Sequence, residues 1–108
     1  LWRAISNLLS NAIRLTPSGG RVQIRLAAAS NHEVSLSVQN PGPGIPAEHL
    51  AKIFDRFYRV DPSRTRQSEG AGLGLAIVRS IVKAHGGRVE AASAQNKTTF
   101  TLFLPYTT

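Results

Sequence analysis

Apolar and polar positions recur along this chain with two periods, and the period predicts the elements. Over residues 1–16, Trp2, Ile5, Leu8 or Leu9, Ala12 and Ile13 return at three- and four-residue steps. That spacing is one apolar helical stripe. Pro17, Ser18, Gly19 and Gly20 stop it. The period then falls to two. Val22, Ile24 and Leu26 alternate with Gln23 and Arg25, and Val34, Leu36 and Val38 alternate with Ser35, Ser37 and Gln39. Ser30, Asn31 and His32 lie between the runs, which predicts an antiparallel hairpin.

Asn40-Pro41-Gly42-Pro43-Gly44-Ile45-Pro46 is expected to end the second strand, because prolines and glycines at this density continue neither strand nor helix. A short helix is expected near Ala47, with Pro46 at its start. Periodicity fades over residues 55–72, where charge, Ser and Gly accumulate, and a long functional loop is expected. Residues 73–85 are again helical, with Leu75, Ile77, Val78, Ile81 and Val82 apolar and Gly86-Gly87 as the stop. Residues 88–93 and 98–104 form a second hairpin about Gln95, Asn96 and Lys97, and Pro105 closes the fold. Amphipathic helices with alternating strands argue for a two-layer α+β sandwich, with helices on one sheet face and water on the other. Short turns join most strands, which excludes a doubly wound parallel sheet.

Composition narrows the picture. The chain has 108 residues, which suits a single domain, 1–108. It has no Cys, so disulfide frameworks, thiolate zinc sites and thiol nucleophiles are excluded. No apolar run approaches the roughly 18 residues that span a bilayer. Thirteen Lys plus Arg stand against six Asp plus Glu, a net charge of +7. Such a charge fits nucleic acid, an anionic membrane or a phosphorylated small molecule. The cations are spread along the chain, and on charge alone a solvated basic surface is the better account.

Three clusters carry candidate chemistry. Asn7, Asn11 and Arg14 are spaced i, i+4 and i+7 on one helical face. An ordinary solvated face explains polar residues there, but Asn is a mediocre helix former. Amide oxygens can ligate Mg²⁺ and a guanidinium can pair with phosphate. The second cluster is residues 40–45, where Gly42 and Gly44 permit close backbone approach to a flat ligand. A plain Pro-Gly turn is its simpler reading. The third is Glu69-Gly70-Ala71-Gly72-Leu73-Gly74-Leu75, which opens into a helix and offers N–H groups to an anion. It lacks a P-loop ending and follows a loop rather than a Rossmann strand.

The order of these clusters resembles the catalytic, ATP-binding domain of sensor histidine kinases, related to gyrase and mismatch-repair ATPases. Residues 7–14 look like the family's N box and residues 40–45 like its first glycine box. Phe54-Asp55-Arg56-Phe57-Tyr58-Arg59 looks like its F box, and Gly70-Ala71-Gly72-Leu73-Gly74-Leu75 like its second glycine box. Residues 59–64 are further similar to heavy-metal-responsive sensor kinases. The resemblance covers residues 1–105 and implies a Bergerat fold: a mixed, mostly antiparallel sheet, helices on one face, and an ATP lid over about residues 55–72.

By the same resemblance Asn11 would ligate Mg²⁺ and Arg14, where Lys is commoner, would meet the phosphates. Asn7 stands where hydrolysing relatives carry a Glu that activates water; an amide is no general base, so ATP would be held for transfer. Asn40 replaces the usual Asp that accepts from the adenine amino group, and an amide oxygen can accept too. Leu15 replaces a usual aromatic, keeping apolar cover without stacking. Gly42, Gly44 and Ile45 would approach the base, and Phe54 and Phe57 would anchor the lid. Gly70, Gly72, Leu73 and Gly74 would cradle the phosphates, and Arg59 or Arg64 would stabilise the transferred phosphoryl group. Arg56 would be a surface partner of Asp55 or Glu69. None of His32, His49 and His85 matches the phosphoaccepting histidine.

The implied cofactors are ATP and Mg²⁺. The implied partners are the protein's own histidine-bearing dimerisation domain, a response regulator and a second copy of the full-length protein, with no nucleic acid. The implied setting is the cytoplasmic part of a bacterial inner-membrane protein. Family members have a strand and the front of the first helix before the N box, so the chain is expected to be a piece truncated at its N-terminus. Two readings compete: a degenerate domain serving as a docking scaffold, motivated by Asn40 and Leu15, and a basic nucleic-acid module, motivated by the +7 charge.

Overall fold

The computed structural model describes residues 1–30, 32–42, 44–50, 52–55 and 74–105. Along these the elements run α1 (Trp2–Leu15), β1 (Gln23–Ser30), β2 (Glu33–Pro41), α2 (Ala47–Leu50), α3 (Gly74–Ala84), β3 (Arg88–Ala94) and β4 (Lys97–Pro105). The strands form one sheet in the order β1-β2-β4-β3. Every pairing among the described residues is antiparallel. The chain leaves β2, builds the helical middle, and returns through β3 so that β4 fills the place between β3 and β2.

Local sequence explains the element ends. Thr16 precedes Pro17, and a residue before proline is pushed out of the helical region. Thr16 accordingly sits at φ −80° and ψ 126°, while its hydroxyl donates to the Ala12 carbonyl at 2.6 Å. α3 ends as its Gly pair predicts, with Gly86 N–H on Lys83 O and Gly87 N–H on Val82 O, both at 2.9 Å.

The core lies between the helices and the inner sheet face. Ala4, Leu8 and Ala12 of α1 meet Val78 and Val82 of α3, Val38 of β2, and Phe100 and Leu102 of β4. Ile53 and Phe54 close one end, and the Phe54 ring meets Phe100 edge-on, with centroids 6.0 Å apart. The opposite face is polar, as expected. There Gln39 donates to Thr99, and Arg88 lies 4.0 Å over the Phe103 ring while pairing with Glu33 and Glu90. The hydrogen bond to Glu90, joined by the charge of Glu33, holds the Arg88 guanidinium above its ordinary pKa.

Three expectations need correction. β2 does not stop before the Pro-Gly segment: Asn40 pairs with Thr98 and Pro41 with Lys97. β1 pairing ends at Gln23–Gln39, so among the described residues β2 has no strand neighbour on that side at Pro41 and the missing N–H costs no ladder bond there. Lys97 belongs to β4, opposite Ala94, rather than to the turn. β1 has the expected alternation but buries none of it, because α1 packs over β2 and α3 over β3; Ile24 and Leu26 stay 56% and 71% exposed.

Candidate functional site

The site starts on α1. Asn7 and Asn11 are half-buried and Arg14 is exposed, along the face flanking the core stripe. Arg14 Nη2 donates to Asn11 Oδ1 at 2.7 Å. A guanidinium and an amide oxygen therefore meet on the last turns of α1, where the helix dipole also favours a cation. Leu15, the last residue of α1, is 38% exposed.

The first glycine segment docks on that turn. Gly42 has φ +132°, a conformation that favours glycine, and a methyl group on it would lie 3.4 Å from the Leu15 carbonyl oxygen. On its other side the segment is tied to the β3–β4 hairpin. Gly42 N–H donates to Asn96 O at 2.9 Å, and Ile45 N–H donates to Ser93 Oγ at 2.8 Å. Ile45 packs on the core.

Asn40, at the end of β2, is 4% exposed. Its Nδ2 donates to the Pro41 carbonyl at 3.0 Å, which fixes the amide plane. Its Oδ1 is buried with no partner among the described residues. Thr98, directly across on β4, is also buried. A buried acceptor left without a protein partner can take an N–H from a ligand or a hydrogen from water.

Asn40, Gly42, Leu15, Asn11 and Arg14 thus line one continuous stretch, from the end of β2 to the last turns of α1. Phe54 is elsewhere, in the core against Phe100. Asp55 lies 3.7 Å from Arg79 of α3, a partner that sequence had not suggested; the pairing expected of Arg56 lies outside the described residues. Gly74 begins α3, with no described residue within 4 Å of where a side chain would start. Arg56, Phe57, Arg59, Arg64, Gly70, Gly72, Leu73 and nearly all of the expected lid lie outside the described residues. Among the described residues, no three His, Cys, Asp or Glu gather as a metal cluster. His85 Nδ1 is 2.9 Å from the Ile81 carbonyl, an end-of-helix contact.

Ser93, Asn96 and Thr98 join this stretch without a place among the residues expected from sequence. For Thr98 the signal was present, since Thr98, Phe100 and Leu102 alternate onto one face. Ser93 and Asn96 carried no comparable signal.

The model of the family "Histidine kinase-, DNA gyrase B-, and HSP90-like ATPase" matches residues 1–108. The chain is 54% identical over 105 residues to the sensor histidine kinase CusS of Escherichia coli O6:H1, covering 97% of this chain and 22% of CusS. It therefore spans about a fifth of that relative's length. Among solved structures it is similar to the mycobacterial sensor histidine kinase MprB, with TM-score 0.86 and 37% identity over 95% of this chain and 70% of that one. It is also similar to full-length ShkA in complex with AMPPNP, with TM-score 0.82 and 31% identity over 98% of this chain and 21% of that one. A sheet with α1 and α3 packed on one face, a glycine segment docked on the end of α1, and a family match across the full length place the chain in the family of histidine kinase-, DNA gyrase B-, and HSP90-like ATPases.

Proposed function

We propose that the chain binds Mg·ATP and presents its γ-phosphoryl group to a histidine on a separate dimerisation domain, as the catalytic domain of a two-component sensor kinase. The observation that carries this reading is Asn40 Oδ1, buried and unpaired among the described residues. Leaving a buried acceptor unsatisfied costs about 1–3 kcal/mol, and a ligand N–H recovers it. The adenine amino group is such a donor, on a flat ring that the backbone of Gly42 and Gly44 would approach, with Gly42 holding the loop at φ +132° and Gly44 letting it pack on Ser93. With Nδ2 held by Pro41, the amide keeps its oxygen toward that donor. The amide thus does the work of the commoner Asp without a charge.

The remaining roles follow from the α1 face. Leu15 would cover the base with apolar surface, and Ile45 would back the loop. Asn11 would give its oxygen to Mg²⁺, and Arg14 would turn from Asn11 to the phosphates. When bound, Mg·ATP supplies the phosphoryl group and part of the charge that steadies its transfer. Asn7 provides no base to activate water, which preserves ATP for the histidine. Phe54 would anchor the start of the lid from within the core, together with Phe57. Gly70, Gly72, Leu73 and Gly74 would hold phosphate, with Arg59 or Arg64 at the transferred group.

The implied partners are the dimerisation domain, a response regulator and a second full-length copy, in the cytoplasmic part of a membrane sensor. Likeness to CusS and the similarity of residues 59–64 support a heavy-metal-responsive kinase. The test is an amide-resolved NMR titration with ATP and Mg²⁺. Shifts at Asn11, Asn40, Gly42 and residues 70–74 are expected; a silent spectrum at millimolar ATP overturns the reading.

A further inference from the structure

Ser93, near the end of β3, carries more of the glycine segment than its place on an edge strand suggests. In register, Asn40 faces Thr98 across β2 and β4, and Thr98 faces Ser93 across β4 and β3. Directly paired residues share a sheet face, so Asn40, Thr98 and Ser93 form one polar row on the helix side. The Ser93 hydroxyl accepts from Ile45 N–H at 2.8 Å and sits 3.4 Å from the Lys97 carbonyl, toward which it can donate. One hydroxyl thereby joins the glycine segment to the hairpin that closes beside it. A second tie, Gly42 N–H to Asn96 O, flanks it at 2.9 Å.

Gly44 is the other half of this contact. A methyl group on Gly44 would overlap Ser93 Oγ, while the Ser93 Cβ would be only in ordinary contact at 3.4 Å. The space that a side chain at position 44 would need is occupied by the serine oxygen.

We infer that Ser93 is a positioning residue for the nucleotide loop: through Ile45 and Gly44 it sets the distance of the loop from Asn40, and Gly44 and Ser93 act as a matched pair. This rests on the ATP reading above. A serine that merely satisfied one backbone N–H would affect stability and leave affinity alone. A positioning serine affects affinity at the base end. Its loss weakens ATP and ADP by the same factor, whereas loss of Arg14 weakens ATP more than ADP.

The test uses the 108-residue chain as wild type, Ser93→Ala, Gly44→Ala and the double variant. Calorimetric titration with Mg·ATP and Mg·ADP is paired with thermal melts and the Ile45 amide resonance. Ser93→Ala is expected to weaken both nucleotides about five- to tenfold, the worth of one hydrogen bond, with Tm lowered by no more than about 8 °C. The Ile45 amide should shift. Gly44→Ala is expected to weaken binding further in the wild-type background, and adding Ser93→Ala to it should recover part of that loss. Wild-type affinity in a folded Ser93→Ala overturns the inference and leaves the ATP reading standing. Strictly additive losses overturn the matched pair. A wild type that binds neither nucleotide overturns both readings at once.

Discussion

Arg14 and Asn11 are joined by a 2.7 Å hydrogen bond in which the guanidinium donates to the amide Oδ1. The oxygen it occupies is the one proposed to ligate Mg²⁺. A guanidinium beside a divalent cation is repelled, so metal binding there would be coupled to release of Arg14. The freed guanidinium would then have the phosphates of the proposed nucleotide as its partner. Removing either group should therefore act on Mg·ATP more than on the fold.

Asn11→Ala is expected to abolish the Mg²⁺ dependence of ATP binding. Arg14→Ala should weaken Mg·ATP by about ten- to a hundredfold, the scale of a hydrogen bond to a charged group. His85→Ala, whose ring meets the Ile81 carbonyl at the end of α3, should bind as wild type. Titrations with and without Mg²⁺ check all three, and equal losses at Asn11 and His85 would remove the site from α1.

Asn40 sets stability against binding. Its buried Oδ1 has no partner among the described residues, so an apolar residue of similar size removes a desolvation cost. Asn40→Leu is expected to melt at or above the wild-type temperature while losing more than about tenfold in ATP affinity. Melting curves and titrations on one preparation decide it. A variant that loses stability and keeps its affinity would mean that the amide serves the fold.

Phe54 and Asp55 are adjacent and should differ sharply. Phe54 is buried edge-on against Phe100, whereas Asp55 and Arg79 face each other at 3.7 Å with both side chains well exposed. Phe54→Ala should cost about 3–5 kcal/mol by leaving a cavity. Arg79→Ala should cost less than about 1 kcal/mol, as exposed ion pairs do. Urea unfolding of the two variants measures the contrast, and comparable costs would contradict the assignment of Phe54 to the core.

Much of this was legible in sequence where the cause is local. The stop of α1 follows from Thr16 standing before Pro17, and the stop of α3 from Gly86-Gly87. The meeting of Leu15, Gly42 and Asn40 followed from motif order. What escaped was decided across the sheet. The strand continues through Pro41 because β1 has already ended on that side, a fact about a neighbour. Ile24 and Leu26 alternate like core residues and stay exposed because the helices pack over other strands. Ser93 meets Ile45 from 48 residues away, and no local pattern announces a contact of that kind.

The turn that carries Asn96 offers a last test, in which stability and site geometry separate. Gln95 and Asn96 have φ of +54° and +61°, the two left-handed residues of a two-residue hairpin turn. Asn tolerates that region and Gln does so poorly, while glycine enters it without steric cost. The tie to Gly42 uses the Asn96 backbone carbonyl and so survives a change of side chain. Asn96→Gly and Gln95→Asn are each expected to stabilise the chain by about 0.5–1 kcal/mol, read as a raised urea midpoint at constant m-value. ATP affinity should stay within about twofold, because the carbonyl remains where the turn puts it. Destabilisation by either change would mean that these side chains make contacts which outweigh the backbone preference.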